Sequence, residues 1–373
     1  MAVYKIFPAK DSTIYSEYPS MNTGLDPIIE CSTYVSDDSG QVSRFLIQFA
    51  DNDINNVLNN RISGSIFKTY LRCYESNIEG LNLNNIIEAY PISNSWGMGT
   101  GHYGDLVQGT NGVGWTYRTI SGSNPWNTSS FGSYATASFP SNKPGGGNWY
   151  TGSSLGLNVV HTQSFSYHES LEIKLDVTDT IRTWYSGGLP NNGFILKQRN
   201  SDEFVNDPAY AFTFQYFSID THTIYPPELE FRWNDYSYNT GSSTNAILNT
   251  PQSFISVYNN DGVYYSESIQ KFRLAAFPKY PARNFTTSSV YTTNYYLPPS
   301  SSLYAIKDTD TNIFVVDFDP DYTRISADST SSYFTVYMNG LEPYRNYTIL
   351  IKTILDGSTK VFDDDLIFKV VNG

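Results

Sequence analysis

Charge is scarce in this chain: Asp, Glu, Lys and Arg make up 16% of its 373 residues, against an ordinary ~25%. The charge present leans acidic, with 36 acidic residues against 23 basic and a net charge of −13. Nucleic-acid surfaces and contacts with anionic membrane faces both need a basic footprint, so neither partner is expected. Cysteine is nearly absent; Cys31 and Cys73 are too few for a disulfide scaffold. Cys73 shares a strand face with Phe67 and Leu71, which makes a buried free thiol the leading reading. A Cys31–Cys73 disulfide is the alternative, and no His stands near either thiol in sequence to make it catalytic. Long apolar runs are missing too. No stretch approaches ~18 apolar residues, and the first ten residues lack the apolar core of roughly 7–15 residues found in secretory signals. Neither a membrane span nor a signal peptide is expected.

The usual marks of catalysis and metal binding are also thin. The four histidines, His102, His161, His168 and His222, have no zinc-like spacing and no HExxH. His161 and His168 read as surface or loop residues. There is no GxSxG, and Gly99–Thr–Gly–His–Tyr–Gly104 lacks the Lys-Ser/Thr of a P-loop. Asp308, Asp310 and Asn312 occupy EF-hand positions, but Ile313 stands where Gly is needed and Asp319 where Glu is needed, so an EF-hand is rejected. Asp317, Asp319 and Asp321, or Asp363, Asp364 and Asp365, leave a looser Ca²⁺ site open, although solvated loops are the main reading. No cofactor is expected beyond that structural Ca²⁺. Glycoside hydrolysis needs two carboxylates across a cleft, and nothing singles out a pair. The chain is not expected to be an enzyme.

What the chain has in abundance is 31 Tyr, 22 Phe, 26 Gly and 18 Pro. Tyr and Thr favour strands, while Gly, Pro, Asn and Ser favour turns. An all-β protein follows. In Arg44–Phe–Leu–Ile–Gln–Phe49, Phe45, Ile47 and Phe49 share one face. Residues 51–61 predict a short helix with Ile54, Val57 and Leu58 on one side and Asp51 or Asp53 as its cap. Leu171 to Val177 alternates, and Asp176 or Thr178 caps a further helical turn that Gly187 and Gly188 stop. Between about 93 and 165 the chain is rich in glycine and carries Trp96, Trp115, Trp126 and Trp149, with a short strand such as Tyr134–Phe139 inside it. Residues 234–250 are polar and turn-rich. All six Trp and both Cys precede them, and residues 1–240 hold 23 of the 36 acidic groups. This divides the chain into residues 1–235, a linker at 236–250, and residues 251–373. The last part carries about six strand patterns, and Asp356–Gly357 signals a hairpin between its last two; its size is that of an immunoglobulin-like sandwich.

Motif order gives a family resemblance. Asp11, Thr13, Ile14, Pro19, Asn22 and Gly24 form an opening phrase, followed by Arg44–Phe–Leu–Ile–Gln–Phe49, Leu71–Arg–Cys–Tyr74, Trp96, and Trp115 with Arg118. The most specific stretch is Asp176–Val–Thr178, Ile181, Trp184, Gly187, Asn191 or Asn192, Gly193, Phe194, Leu196 and Lys197. Phe217–Ser218, Pro227, Leu229, Glu230 and Phe231 complete it. In these residues the part up to about 233 resembles the DNRLRE family. The resemblance implies a jelly-roll-like β-sandwich that accompanies glycan-related or surface proteins, without catalysis. The phrases Lys279–Tyr–Pro–Ala–Arg283 and Asn294–Tyr–Tyr–Leu–Pro298 resemble segments of structural proteins of large tailed phages, including marine ones.

The expectation is an N-terminal jelly-roll-like sandwich plus a smaller immunoglobulin-like one. The expected role is that of a non-enzymatic virion protein on the tail, baseplate, collar or capsid surface. Its partners would be other virion proteins in symmetric copies, with host glycans as a further option. The alternative is a carbohydrate-binding module of a secreted or cell-surface protein. Loop aromatics stack on sugars or anchor partners, so Trp126, Trp149, Tyr150 and Tyr117 are the candidate binding residues. Trp115 and Trp184 read as core.

Overall fold

The computed structural model describes residues 2–35, 40–62, 66–81, 85–105, 110–126, 135–136, 145–151, 159–166, 170–241, 246–280, 295–363 and 366–373. Strands dominate these residues, joined by two α-helices, Asp51–Asn60 and Thr178–Tyr185, and one short 3₁₀ turn. The fold is all-β and multi-sheet. Two compact units divide it: a larger one of Ile6–Arg61 and Lys68–Glu230, and a smaller one of Met1–Lys5, Ile62–Phe67 and Phe231–Gly373.

The larger unit is built on an eight-stranded sheet. Its central strand, Gln41–Gln48, pairs antiparallel with Lys10–Tyr15, Ile28–Tyr34 and Phe194–Gln198. The sequence predicts one buried face here. Instead Arg44 and Leu46 are as fully buried as Phe45 and Ile47, so both faces are covered. Helix Asp51–Asn60 forms where the pattern placed it, with Ile54 and Val57 buried. Its cap differs: Ala50 holds the N-cap position without a side-chain bond, and the Asp51 carboxylate accepts from Asn191 instead. Strand Ile173–Asp176 alternates as expected and pairs with Phe67–Cys73, Cys73 facing Ile173. Both cysteines are free and buried, and burial pushes their thiols up.

The smaller unit stacks two sheets over one core. One is Ser253–Val257, Ile269–Pro278, Ser332–Tyr337 and Ser326–Ala327; the other holds six strands, from Val263–Tyr265 to Ile367–Val371. Phe272, Leu274 and Phe334 of the first sheet meet Tyr304, Ile349 and Phe368 of the second in a single apolar cluster. The Tyr304 and Phe334 rings stack at 4.4 Å. Asp356 and Gly357 do turn a hairpin, but its second strand is Ser358–Phe362, which no sequence pattern announced. Four of its five residues are exposed, so no apolar alternation marked it. Within residues 236–250, the Tyr236 and Tyr238 hydroxyls donate to Pro299 O and Leu297 O, and Leu248 lies in the core.

Candidate binding site in the larger unit

Arg44 has no exposed surface, yet it carries a full charge. A buried guanidinium needs a partner for each donor face. Its Nε and Nη2 donate to Glu203 Oε1 and Oε2 at 2.7 and 2.8 Å, and its Nη1 donates to the Gly146 carbonyl. Lys197, equally buried, reaches Glu203 Oε2 at 2.9 Å and donates to Gln198 O at 2.6 Å. The Trp115 and Trp149 rings flank the guanidinium at 4.9 and 5.2 Å from its carbon, a cation–π arrangement. Burial alone would raise the Glu203 carboxyl, but Arg44 and Lys197 outweigh it and hold it below the ordinary carboxylate range. The three-glycine run Gly145–Gly147 is explained here. A methyl group at Gly146 would stand 2.7 Å from Arg44 Nη1 and from the Trp115 ring, and φ there is +79°.

Asn22 organises the glycine-rich excursion in a similar way. Its Nδ2 donates to Met98 O at 2.7 Å and Val113 O at 2.9 Å, and its Oδ1 accepts from the Gly101 and Gly24 amides. One buried side chain thereby fixes three loop segments. These two networks account for motif residues without any ligand.

A polar cavity of about 190 Å³ opens where strand Ile173–Asp176 hands over to helix Thr178–Tyr185. Lys68, His161, Asp176, Thr178, Asp179 and Arg182 line it. Asp176 Oδ1 accepts from the Thr178 amide and hydroxyl, which stops the strand and starts the helix. Lys68 Nζ donates to Asp176 Oδ2 at 2.7 Å, and Arg182 Nη1 stands 3.8 Å from Asp179 Oδ1, one helical turn away. Burial would raise the Asp176 carboxyl; the Lys68 ammonium and the Thr178 donors outweigh it and hold it low. His161 is not the surface or loop residue its sequence suggested. It begins strand His161–Phe165, is buried, and its Nε2 meets Thr180 Oγ1 at 2.8 Å. Burial lowers its pKa to about 4 against the pull of Asp176 and Asp179, so the ring is neutral at pH 7.

The loop aromatics chosen from the sequence lie elsewhere. Trp126, Trp149 and Tyr150 are buried, and Tyr117 is half-buried. Trp126 Nε1 donates to Gly114 O at 3.1 Å, and Trp149 packs on Tyr90 with centroids 5.7 Å apart. The chain's own atoms cover these rings, which leaves three of the four without the open face that sugar stacking requires. His168, Asp364, Asp365 and most of the predicted strand Tyr134–Phe139 lie outside the described residues. Among the described residues no group of three or more His, Cys, Asp or Glu could hold a metal. At the positions where a looser Ca²⁺ site is open, Arg232 reaches Asp319 at 2.8 Å and Lys307 reaches Asp363 at 3.4 Å; Asp308, of the rejected EF-hand, is held by Arg345 through a two-bond fork. Glu203 went unnoticed in the sequence because a single acidic residue in a loop carries no pattern. The Lys68–Arg182 cavity went unnoticed because its members come from three separate segments, around 68, 161 and 176–182.

No family model matches the chain, and no curated protein matches it. Among solved structures, the adhesin domain of Epf from Streptococcus pyogenes aligns over 100% of this chain and 92% of its own length, at 11% identity and a TM-score of 0.18. These comparisons correct one expectation. The description as a bacteriophage virion, tail or capsid-decoration protein finds no counterpart among family models or curated proteins. Among the described residues no helix is long and apolar enough to cross a membrane.

Proposed function

We propose that this chain is a non-enzymatic carbohydrate-binding module, with the polar cavity of the larger unit as a sugar site. The lining of that cavity carries the reading. A sugar ring presents hydroxyls that both donate and accept. Asp176 and Asp179 accept and Lys68 and Arg182 donate, while the neutral His161 ring closes the wall without adding charge. Two charges of each sign cancel, which suits a neutral polyol better than an ion. The volume equals that of roughly six liquid waters, room for one small polar ring.

The same lining disfavours catalysis. A general acid at neutral pH needs a raised carboxyl, and Asp176 is held low. The Thr180 hydroxyl bonded to His161 is fully buried and does not line the cavity, so no substrate reaches it. In this reading the larger unit is a jelly-roll-like sandwich and the smaller an immunoglobulin-like one, and glycan recognition serves attachment.

The test is a glycan array probed with the full chain, then with Asp179→Asn and Arg182→Ala. Both side chains are about half exposed, so the fold should persist. The expected result is binding of a neutral glycan that weakens roughly tenfold or more in both variants at unchanged melting temperature. A full chain that binds no neutral glycan, or variants that bind as well as the parent, would sink the proposal.

A further inference from the structure

The smaller unit carries an exposed face that the cavity does not use. In strand Ile269–Pro278, Phe272, Leu274 and Ala276 point into the core, so Lys271, Arg273, Ala275 and Phe277 point outward. The neighbouring strand sets Phe254 opposite Phe277 and Ser256 opposite Ala275. The Tyr258 amide donates to Arg273 O, so Tyr258 continues the same face. Phe254, Tyr258 and Tyr280 are 53%, 51% and 72% exposed. Tyr258 is four positions on from Phe254, roughly 13 Å at ~3.3 Å per residue, with the small Ser256 and Ala275 as a shallow floor between them.

Charge on this face runs against the chain as a whole. Lys279 Nζ lies 5.9 Å from the ring centroids of both Phe254 and Tyr280. Lys271 and Arg273 converge on Asp328, each at 2.9 Å, and Lys271 sits 3.5 Å over the Tyr333 ring. Two cations therefore share one carboxylate here and Lys279 stands beside the rings as a third, in a chain of net charge −13. Cations held beside open aromatic rings fit a ligand with flat apolar faces and regularly spaced negative charge.

We propose that this face binds an extended acidic polysaccharide of the uronate type. It rests on the carbohydrate reading above for the class of ligand, but on separate residues. The Phe254, Tyr258 and Tyr280 rings stack on the C–H faces of successive sugars, and Lys279, with the net positive Lys271–Arg273–Asp328 group beside it, meets their carboxylates. Single-stranded nucleic acid shares the taste for rings and cations. Its denser phosphate charge is repelled more strongly by the acidic remainder of the chain, which favours the polysaccharide.

The experiment is calorimetric titration of the full chain with oligogalacturonate, with cello-oligosaccharide as neutral control and oligothymidylate as competitor. The parent should bind oligogalacturonate and weaken as salt rises. Phe254→Ala and Lys279→Glu, both at the surface, should each lose roughly tenfold or more in affinity, while Asp179→Asn in the cavity should leave it unchanged. Absence of oligogalacturonate binding overturns the inference and leaves the cavity proposal standing. Loss in Asp179→Asn alone moves the acidic ligand to the cavity and also overturns it. Tighter binding of oligothymidylate than of oligogalacturonate overturns it in favour of nucleic acid. If the face behaves as proposed while the neutral-glycan test fails, only the cavity reading falls.

Discussion

Arg44 and Glu203, 159 positions apart in sequence, meet through two parallel hydrogen bonds of 2.7 and 2.8 Å in the core of the larger unit. Neither has contact with water worth counting, so each is the other's main compensation for lost hydration. Lys197 makes the group a triad, and the aromatic walls of Trp115 and Trp149 close it. The arrangement holds four distant segments, around 44, 115, 149 and 197–203, in one relationship.

Breaking that triad on its acidic side should be severe. Glu203→Gln keeps the volume but leaves two buried cations facing a neutral amide. We expect a loss of about 3–5 kcal/mol, read as a lowered midpoint in urea unfolding. A loss below about 1 kcal/mol would mean that water reaches the triad in solution.

Asp11 should make stability depend on pH in an unusual direction. Burial pushes its carboxyl up to about 7, with the Ile219 amide opposing and Asp220 adding to the rise. A folded-state pKa above the unfolded one favours the fold while the group is protonated. The contribution is full below about 4 and is lost as pH climbs through 7. Asp11→Asn cannot ionise, so its melting temperature relative to the parent should improve steadily from pH 5 to pH 8. A difference that stays flat over that window would contradict a buried acid at this position.

Asn22 should be necessary for the order of the glycine-rich segment. Asn22→Ala removes two donors and two acceptor contacts from buried backbone, an expected cost of roughly 2–4 kcal/mol. Gly112→Ala should act on the same spot from the other side. Its methyl would stand 2.4 Å from Asn22 Nδ2 at a φ of +76°. Limited proteolysis should then cut within residues 96–105 or 110–114 in both variants and not there in the parent. Protection equal to the parent's would show that other contacts suffice.

Much of the secondary structure was legible because it rests on short-range pattern. Helix Asp51–Asn60, strand Ile173–Asp176 and strand Asn346–Leu355 all show apolar periodicity within a few residues. Strand Ser358–Phe362 does not, because it lies at a sheet edge with exposed side chains, and hydrogen bonding to its neighbour alone makes it a strand. The helix cap was misassigned for a related reason: Asp51 has a competing partner, Asn191, 140 positions away.

The candidate sites were far less legible. Trp126 and Trp149 looked available because glycine-rich loops are usually exposed, yet both lie in one apolar cluster with Ile14, Val42 and Ile195. Phe254 drew no attention because no strand pattern was read around it, and Tyr280 figured only in a phrase quoted for its resemblance. Only the register with Ile269–Pro278 tells which way Phe254 points.

By itself the sequence determined the β-rich character, the place of both helices, the turn glycines and the scarcity of metal-binding pattern, all of which follow from residue type and local spacing. The tertiary structure alone decided which charges are buried together, which aromatics face water and where a polar cavity opens. Those outcomes depend on pairings across more than a hundred residues, set by the sum of many weak contacts, and no local window of sequence carries that sum.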